Sequence, residues 1–447
     1  MISHLLSSVP DYQNFLTVDE LNASSANLVE MCPKIARLEP IGHSANAEVI
    51  NMLRIGHGSE QLLFFACPHP NEPIGAMTLE ALSNQLVSDA KLRGERYTWN
   101  LIKCIDPDST RLNEGWFKGP FTITHYASEF YRPAAFDQAE WTFPIAYKKH
   151  TFFQPIPETV ALMTAITGLR PRFIYSLHNA GMGGGYYYLA PHIPEIDSEL
   201  RALMTDRGIP LSLGEPEMPW GVELSPAIYQ STTLCDHYDF LEAHTHGNPA
   251  NQLQGGEGSY GFAKAICNPA HLVCELPYFY DERIDDTALT NMLRKDAILQ
   301  GIEKTGEITG FLSSLFDRLG ERLTFPTRFR TASKHLTELI VTGNKAKRSW
   351  AKNAPELNVP ATVAQVFDNL TVGRFYHLLI VGMTRRALAA QLKHSPSEVI
   401  EAAYKEVEDR FTQWTAELEE EINYTVIPIK TLVEIQLGAA FHFISRL

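Results

Sequence analysis

No two cysteines in this sequence stand two residues apart, which removes the usual pairing of a structural zinc cluster. The six cysteines, Cys32, Cys67, Cys104, Cys235, Cys267 and Cys274, are widely spaced, and several fall in apolar runs such as LLFFAC and HLVCEL. Buried free thiols in a reducing cytoplasm are therefore expected. Positive charge is also scarce: 38 basic residues face 52 acidic ones, for a formal net charge of −14. Phosphate binding needs the opposite balance, so nucleic acid is not an expected partner, and a polybasic membrane contact is excluded with it. The nearest approach to a basic cluster, 344–352, reads as a solvated helix face or loop. No apolar run reaches 18 residues without a charge, so no membrane-crossing helix is expected. The opening MISHLLSSVPDYQ has neither the basic start nor the apolar stretch of a signal peptide. Internal repeats and low-complexity tracts are absent too.

What is present is ordinary globular material. The chain has 447 residues, 45% of them hydrophobic and 20% charged, enough for a sizeable core. Its length predicts one large domain with an extension, or two domains. Residues 17–31 have helical spacing with Thr17 as cap. VINMLRIG (49–56), LLFFACP (62–68) and WNLIKCI (99–105) read as strands, with a helix over 73–90 opened by Pro73. This order predicts an α/β domain with a mixed, mostly parallel central sheet flanked by helices. FIYSLH (173–178) and AHLVCELPYF (270–279) continue the pattern as apolar runs that end at an ionisable residue. After about residue 285 helical periodicity takes over, with segments at 286–318, 330–344, 362–392, 396–424 and 427–446. The boundary is placed near Pro326, giving a catalytic part over 1–320 and an all-α extension over 321–447. The last segment reads as an amphipathic helix with Lys430 and Glu434 on one face.

The strongest local signal is His69-Pro70-Asn71-Glu72 directly after a strand. Two ligand side chains three apart on a tight turn can point at one ion, and zinc takes imidazole nitrogen and carboxylate oxygen together. His178, closing FIYSLH, is the expected third ligand, and the glycine-rich stretch after it lets backbone approach a substrate. His244-Thr245-His246 is the rival source of that ligand. Glu275, at the end of an apolar strand, would be poorly solvated and so suited to act as general base. Arg111, after the turn Asp106-Pro107-Asp108, is the candidate for stabilising a developing oxyanion. Tyr186 or Tyr188 is a candidate for lining a pocket. The GMGGG run superficially suggests a phosphate loop, but it lacks the following Lys-Ser/Thr.

In their order these residues resemble the zinc metallocarboxypeptidase family. FLTVDELNASSANLVEMCPKIARLEPIGHSANAEVINMLRIG resembles that family's opening helix and first strands, with IGHS in place of its Gly-x-Ser hairpin. His69 and Glu72 match its His-x-x-Glu motif, and Asp106-Pro107-Asp108 resembles its Asn-Pro-Asp turn. Arg111 then matches the oxyanion arginine, and Pro157-Glu158-Thr159 resembles the opening of the helix before the third ligand. His178 matches that ligand, and Gly255-Gly256 and Glu275-Leu276 match the later loop and catalytic strand end. The likeness covers roughly 15–310 and implies one zinc ion per chain and cleavage of an amide bond. One departure stands out. Where the family has Asn-Arg before a Phe-Pro-like segment, this chain has Ala139-Glu140-Trp141-Thr142-Phe143-Pro144. The nearest arginine is Arg132, the nearest counterpart of the family's cleft tyrosine is Tyr260, and the resemblance implies Arg132, Tyr260 and Asn113 as substrate-contact residues.

Two enzymatic functions compete: a carboxypeptidase acting on a specific peptide or peptide-like metabolite, and a zinc deacylase or amidohydrolase acting on an acylated amino acid or modified metabolite. A non-catalytic binding module of the same fold is the third. The expected partner is a peptide or small amide. The helical extension is expected to cover the cleft, form a homo-oligomer, or bind a partner.

Overall fold

A computed structural model describes residues 2–245 and 247–447. Nine strands form the central sheet: β1 (Ala36–His43), β2 (Val49–Ile55), β3 (Glu60–Ala66), β4 (Tyr97–Ile102), β5 (Phe173–Leu177), β6 (Tyr186–Ala190), β7 (Glu223–Ser225), β8 (Ile228–Gln230) and β9 (Ala270–Glu275). They lie in the order β1-β2-β4-β3-β5-β9-β6-β8-β7. The sheet is mixed. Its centre, β4-β3-β5-β9, is parallel throughout, whereas β2 runs antiparallel to β4, and β6 antiparallel to β9. The turn at 57–60 does not close a hairpin, because β4 pairs between β2 and β3. β3, β5 and β9 are covered on both faces, which is why each reads as a mostly apolar run, with Ser176 and His271 as buried polar members. Being parallel, they deliver their carboxyl ends to one edge, where such sheets place their sites.

The principal helices are α1 (Val18–Met31), α2 (Ile74–Ser88), α3 (Pro157–Leu169), α4 (Arg294–Leu319), α5 (Arg328–Asn353), α6 (Gly373–His394), α7 (Glu398–Glu421) and α8 (Ile429–Ile444). Thr17 caps α1 through a reciprocal pair: its hydroxyl accepts from Glu20 N, and Glu20 accepts from Thr17 N. Pro73 stands at the cap of α2, one position before the helix proper. Among the described residues no helix is long and apolar enough to cross a membrane. All six cysteines are free thiols.

The helical part after 320 shares one hydrophobic core with the sheet: Leu62, Phe64, Phe173 and Leu272 belong to the same cluster as Leu379, Val407, Leu432 and Phe443. The helix α8 keeps Lys430 and Glu434 on a narrow, partly exposed stripe with Thr431 and His442, and is otherwise buried. Phe441 stacks on Trp99 at 5.5 Å, and the Phe443 ring lies tilted 5.7 Å from that of Phe173. The polar residue among its buried positions is Gln436, which is fully buried. Gln436 Nε2 donates to His178 O at 2.8 Å, and its Oε1 accepts from Thr78 Oγ1 at 2.7 Å. A helix 160 residues beyond β9 thus holds the backbone at the end of β5.

Asp106 caps the short helix Pro107–Thr110, accepting from Ser109 N at 3.0 Å. Burial, and then the nearby charge of Glu158, push its carboxyl up to about 7. Because the folded-state value is raised, the folded chain binds more protons than the unfolded one between about pH 4 and pH 7. The contribution of this group is therefore fully present below pH 4 and lost as pH rises through 7. Asp106→Asn keeps the acceptor and removes the charge, so it is expected to be more stable than wild type at pH 8.5, by up to about 4 kcal/mol, and to lose that advantage as pH falls toward 4. Thermal unfolding at both pH values measures this, and parallel curves for the two proteins would refute the assignment.

Candidate metal centre

The chain leaves β3 through Cys67, whose φ of 54 is in the left-handed region, and turns at once. Glu72 N donates to His69 O at 3.0 Å, so the two side chains emerge on the same side of the turn. His178 follows the last residue of β5. These three side chains meet, and their ligand atoms all lie within 4.8 Å of one another. His69 Nδ1 lies 3.0 Å from Glu72 Oε1, His178 Nδ1 lies 2.9 Å from Glu72 Oε2, and the two Nδ1 atoms are 3.1 Å apart. All three residues are buried.

The donor set fits a metal ion. Each Nδ1 could donate to its own oxygen of Glu72, but that sets two N–H groups against each other with their nitrogens 3.1 Å apart. A cation would satisfy all three at once, and zinc accepts this mixture while leaving a position open. Burial holds His69 neutral, lowering it to about 3. His178 is raised to about 9 against its burial, by its hydrogen bond to Glu72. Behind the set, His178 Nε2 lies 2.8 Å from Ser176 Oγ, which in turn reaches Glu140 Oε2 at 3.4 Å. Glu140 is anchored by Ser259, whose hydroxyl donates to it at 2.6 Å. Such outer hydrogen bonds fix the orientation of a ligating ring. Ser176 and Glu140 were not foreseen. The signal was available for Ser176, since residues two apart on a strand share a face.

Glu275 ends β9 opposite Tyr186 of β6 and lines the same cavity, of about 470 Å³, as His69 and Glu72. Its side chain is buried and makes no hydrogen bond to another side chain or backbone group among the described residues. Burial, and then the charge of Glu72, raise its carboxyl well above the usual range.

Of the two arginines expected at the site, Arg132 lines the cavity and Arg111 does not. Arg111 lies outside the cavity. Its guanidinium is bound to Glu48 at 2.6 Å and 3.1 Å and to Asp19 at 2.6 Å, which fasten the β1–β2 turn to the start of α1. Arg132 instead points into the cavity, donating from Nη1 to Glu72 Oε1 at 2.9 Å. Trp141 packs against both, 5.4 Å from the Arg132 guanidinium carbon and 5.2 Å from the His69 ring. Asn113 does not face the cavity either. It is buried, accepting from Tyr131 N at 2.9 Å and donating to Tyr131 O at 2.9 Å, and so clamps the backbone just before Arg132. Tyr260 stacks on His271 at 4.6 Å, away from the cavity wall. Tyr186 does line the wall, and it and Tyr188 both donate to Glu217 Oε2 at 3.1 Å. His244 packs on Phe240 at 4.5 Å, apart from the three ligands, and His246 lies outside the described residues. Lys347, read as part of a solvated cluster, also lines the cavity.

No family model and no curated protein matches the sequence. Among solved structures the chain is similar to carboxypeptidase A from Helicoverpa armigera, with 13% identity over 62% of this chain and 69% of that one, at a TM-score of 0.38. It is similar also to a metallo-carboxypeptidase from Burkholderia cenocepacia, with 14% identity over 59% and 60% of the two chains and a TM-score of 0.33. A metallo-carboxypeptidase from Pseudomonas aeruginosa matches with 16% identity over 56% and 58%, at a TM-score of 0.31.

Proposed function

We propose that this protein is a zinc-dependent hydrolase that cleaves an amide bond, with His69, Glu72 and His178 as ligands and Glu275 as general base. The observation that carries the proposal is a buried His–Glu–His set, two members of which, His69 and Glu72, line the same cavity as the buried carboxylate of Glu275. When bound, the metal supplies Lewis acidity and lowers the pKa of water. Glu275 accepts the proton of the attacking water and returns it to the leaving nitrogen. Its desolvated carboxylate holds a proton more readily than an exposed one, which suits both steps. Arg132 faces the same centre and stabilises negative charge developing on the former carbonyl oxygen. Asn113 and Trp141 position Arg132.

Of the two forms this activity can take, removal of an acyl group from an amino acid or related metabolite is favoured by the aliphatic lining of the cavity, Leu336, Ile340, Val372, Leu379 and Ile380. Both forms present a free carboxylate beside the cleaved amide, and among the described residues Arg132 and Lys347 are the lining cations. The test is to give the zinc-loaded protein a free dipeptide, the same dipeptide amidated at its C-terminus, and an N-acyl amino acid. Cleavage of the acyl compound in preference to the dipeptide supports the deacylase form. Preference for the free dipeptide over both others restores the carboxypeptidase form, and no cleavage of any of the three removes the proposal. On a cleaved substrate, Arg132→Met is expected to lower kcat by about 10²–10³-fold with little change in KM. A rise in KM at constant kcat would instead make Arg132 a substrate-carboxylate clamp.

A further inference from the structure

The cavity above the ligand set has a second wall, and that wall comes from the helical region. Leu336, Ile340 and Lys347 of α5, Asp368 and Val372 of the turn between 368 and 372, and Tyr376, Leu379 and Ile380 of α6 all line it. The wall is pinned on both sides of the cleft. Tyr376 Oη donates to Met182 O at 3.0 Å, in the glycine-rich loop after His178, and Arg386 Nη1 donates to Glu129 O at 2.5 Å, three residues before Arg132. A Cβ on Gly181 would come within 2.7 Å of Phe375 Cε1, so the loop glycine is what allows α6 to sit this close. The stretch Asp368–Val372 is a π-helical turn, an irregularity that collects at functional sites. It lies where the wall meets the cavity.

The chemistry of the wall narrows the substrate. Leu336, Ile340, Val372, Leu379 and Ile380 are aliphatic and offer nothing to hydrogen-bond. A polypeptide laid along them would leave peptide N–H and C=O groups unpaired, which is costly, whereas an alkyl chain needs no partner. The volume, about 470 Å³, is that of a pocket for one small molecule.

We infer that α5, the π turn and α6 form an acyl pocket over the metal centre, and that the substrate is an N-acylated amino acid whose alkyl chain lies on Leu336, Ile340, Val372, Leu379 and Ile380. This rests on the hydrolase reading above. The deciding experiment uses full-length zinc-loaded protein and N-acyl alanines from acetyl to decanoyl. Rates are measured with wild type, and affinities by calorimetry with Glu275→Gln. Affinity and kcat/KM are expected to rise by up to about fourfold per methylene, to at least a hundredfold between acetyl and octanoyl, and then to level off. Ile340→Trp is expected to shift the best chain length down by two carbons or more, and Leu336→Phe serves if that variant fails to fold. Release of C-terminal residues from an unfolded polypeptide is expected at less than one hundredth of the octanoyl rate. Equal affinity for acetyl and octanoyl compounds, or efficient trimming of the polypeptide, overturns the acyl pocket but leaves the hydrolase. Length-dependent binding without turnover by wild type keeps the pocket and overturns the hydrolase.

Discussion

Purified protein supplied with zinc is expected to hold about one ion per chain, and His178→Ala none. The argument is geometric. His178 Nδ1 lies 2.9 Å from one oxygen of Glu72, and His69 Nδ1 lies 3.0 Å from the other. With His178 gone, two ligands remain on a single turn, and a ligand from a different strand is lost. A structural zinc bound by protein side chains is held with about 10–16 kcal/mol, most of which needs the full set. Elemental analysis after gel filtration reads the result. His57→Ala is the control, because that ring is exposed and contacts only Lys34 O at 2.9 Å. A second reading comes from melting. Zinc at about 1,000 times its Kd stabilises the chain by about 4 kcal/mol, and His178→Ala should show no such rise. A zinc-free wild type would refute the metal centre, and with it the proposed chemistry.

The second large effect falls on Glu275. Glu275→Gln preserves the shape of a buried side chain and removes its ability to take a proton. Turnover of a cleaved amide is expected to fall by about 10²–10⁴-fold, with zinc content unchanged. The retained metal separates loss of the base from collapse of the site. Near-normal turnover in the variant would give the proton transfer to another carboxylate. Glu217 is the group to test next, since it lines the same cavity.

Much of this arrangement is legible in the sequence, for a physical reason. Strands buried on both faces must be apolar, so the first ionisable residue after such a run marks the rim of the sheet. His178 and Glu275 are read in that way, and the strand-then-helix context singles out His69 and Glu72. The arginines are less legible. Arg111 and Arg132 both follow loops, and the direction of a loop side chain depends on which charges fold up beside it. Glu48 and Asp19 come from elements distant in sequence from Arg111 and hold it outside. Asn113 fails as a substrate contact because its amide is used up by Tyr131. The helices after 320 show their apolar faces in the sequence, but periodicity says which side is buried and not against what. Lys347 illustrates the limit: its neighbours in 344–352 suggest solvent, and packing turns it toward the cavity.

The buried amide of Gln436 has a consequence for biosynthesis. It fastens the His178 carbonyl to α2 through Thr78, from a helix translated long after every residue of the proposed centre. Between the synthesis of β9 and that of α8, the emerging polypeptide carries the proposed ligands with nothing yet to hold the His178 carbonyl from that side. The backbone behind the proposed centre is therefore fixed only once α8 has been made and has docked on the sheet.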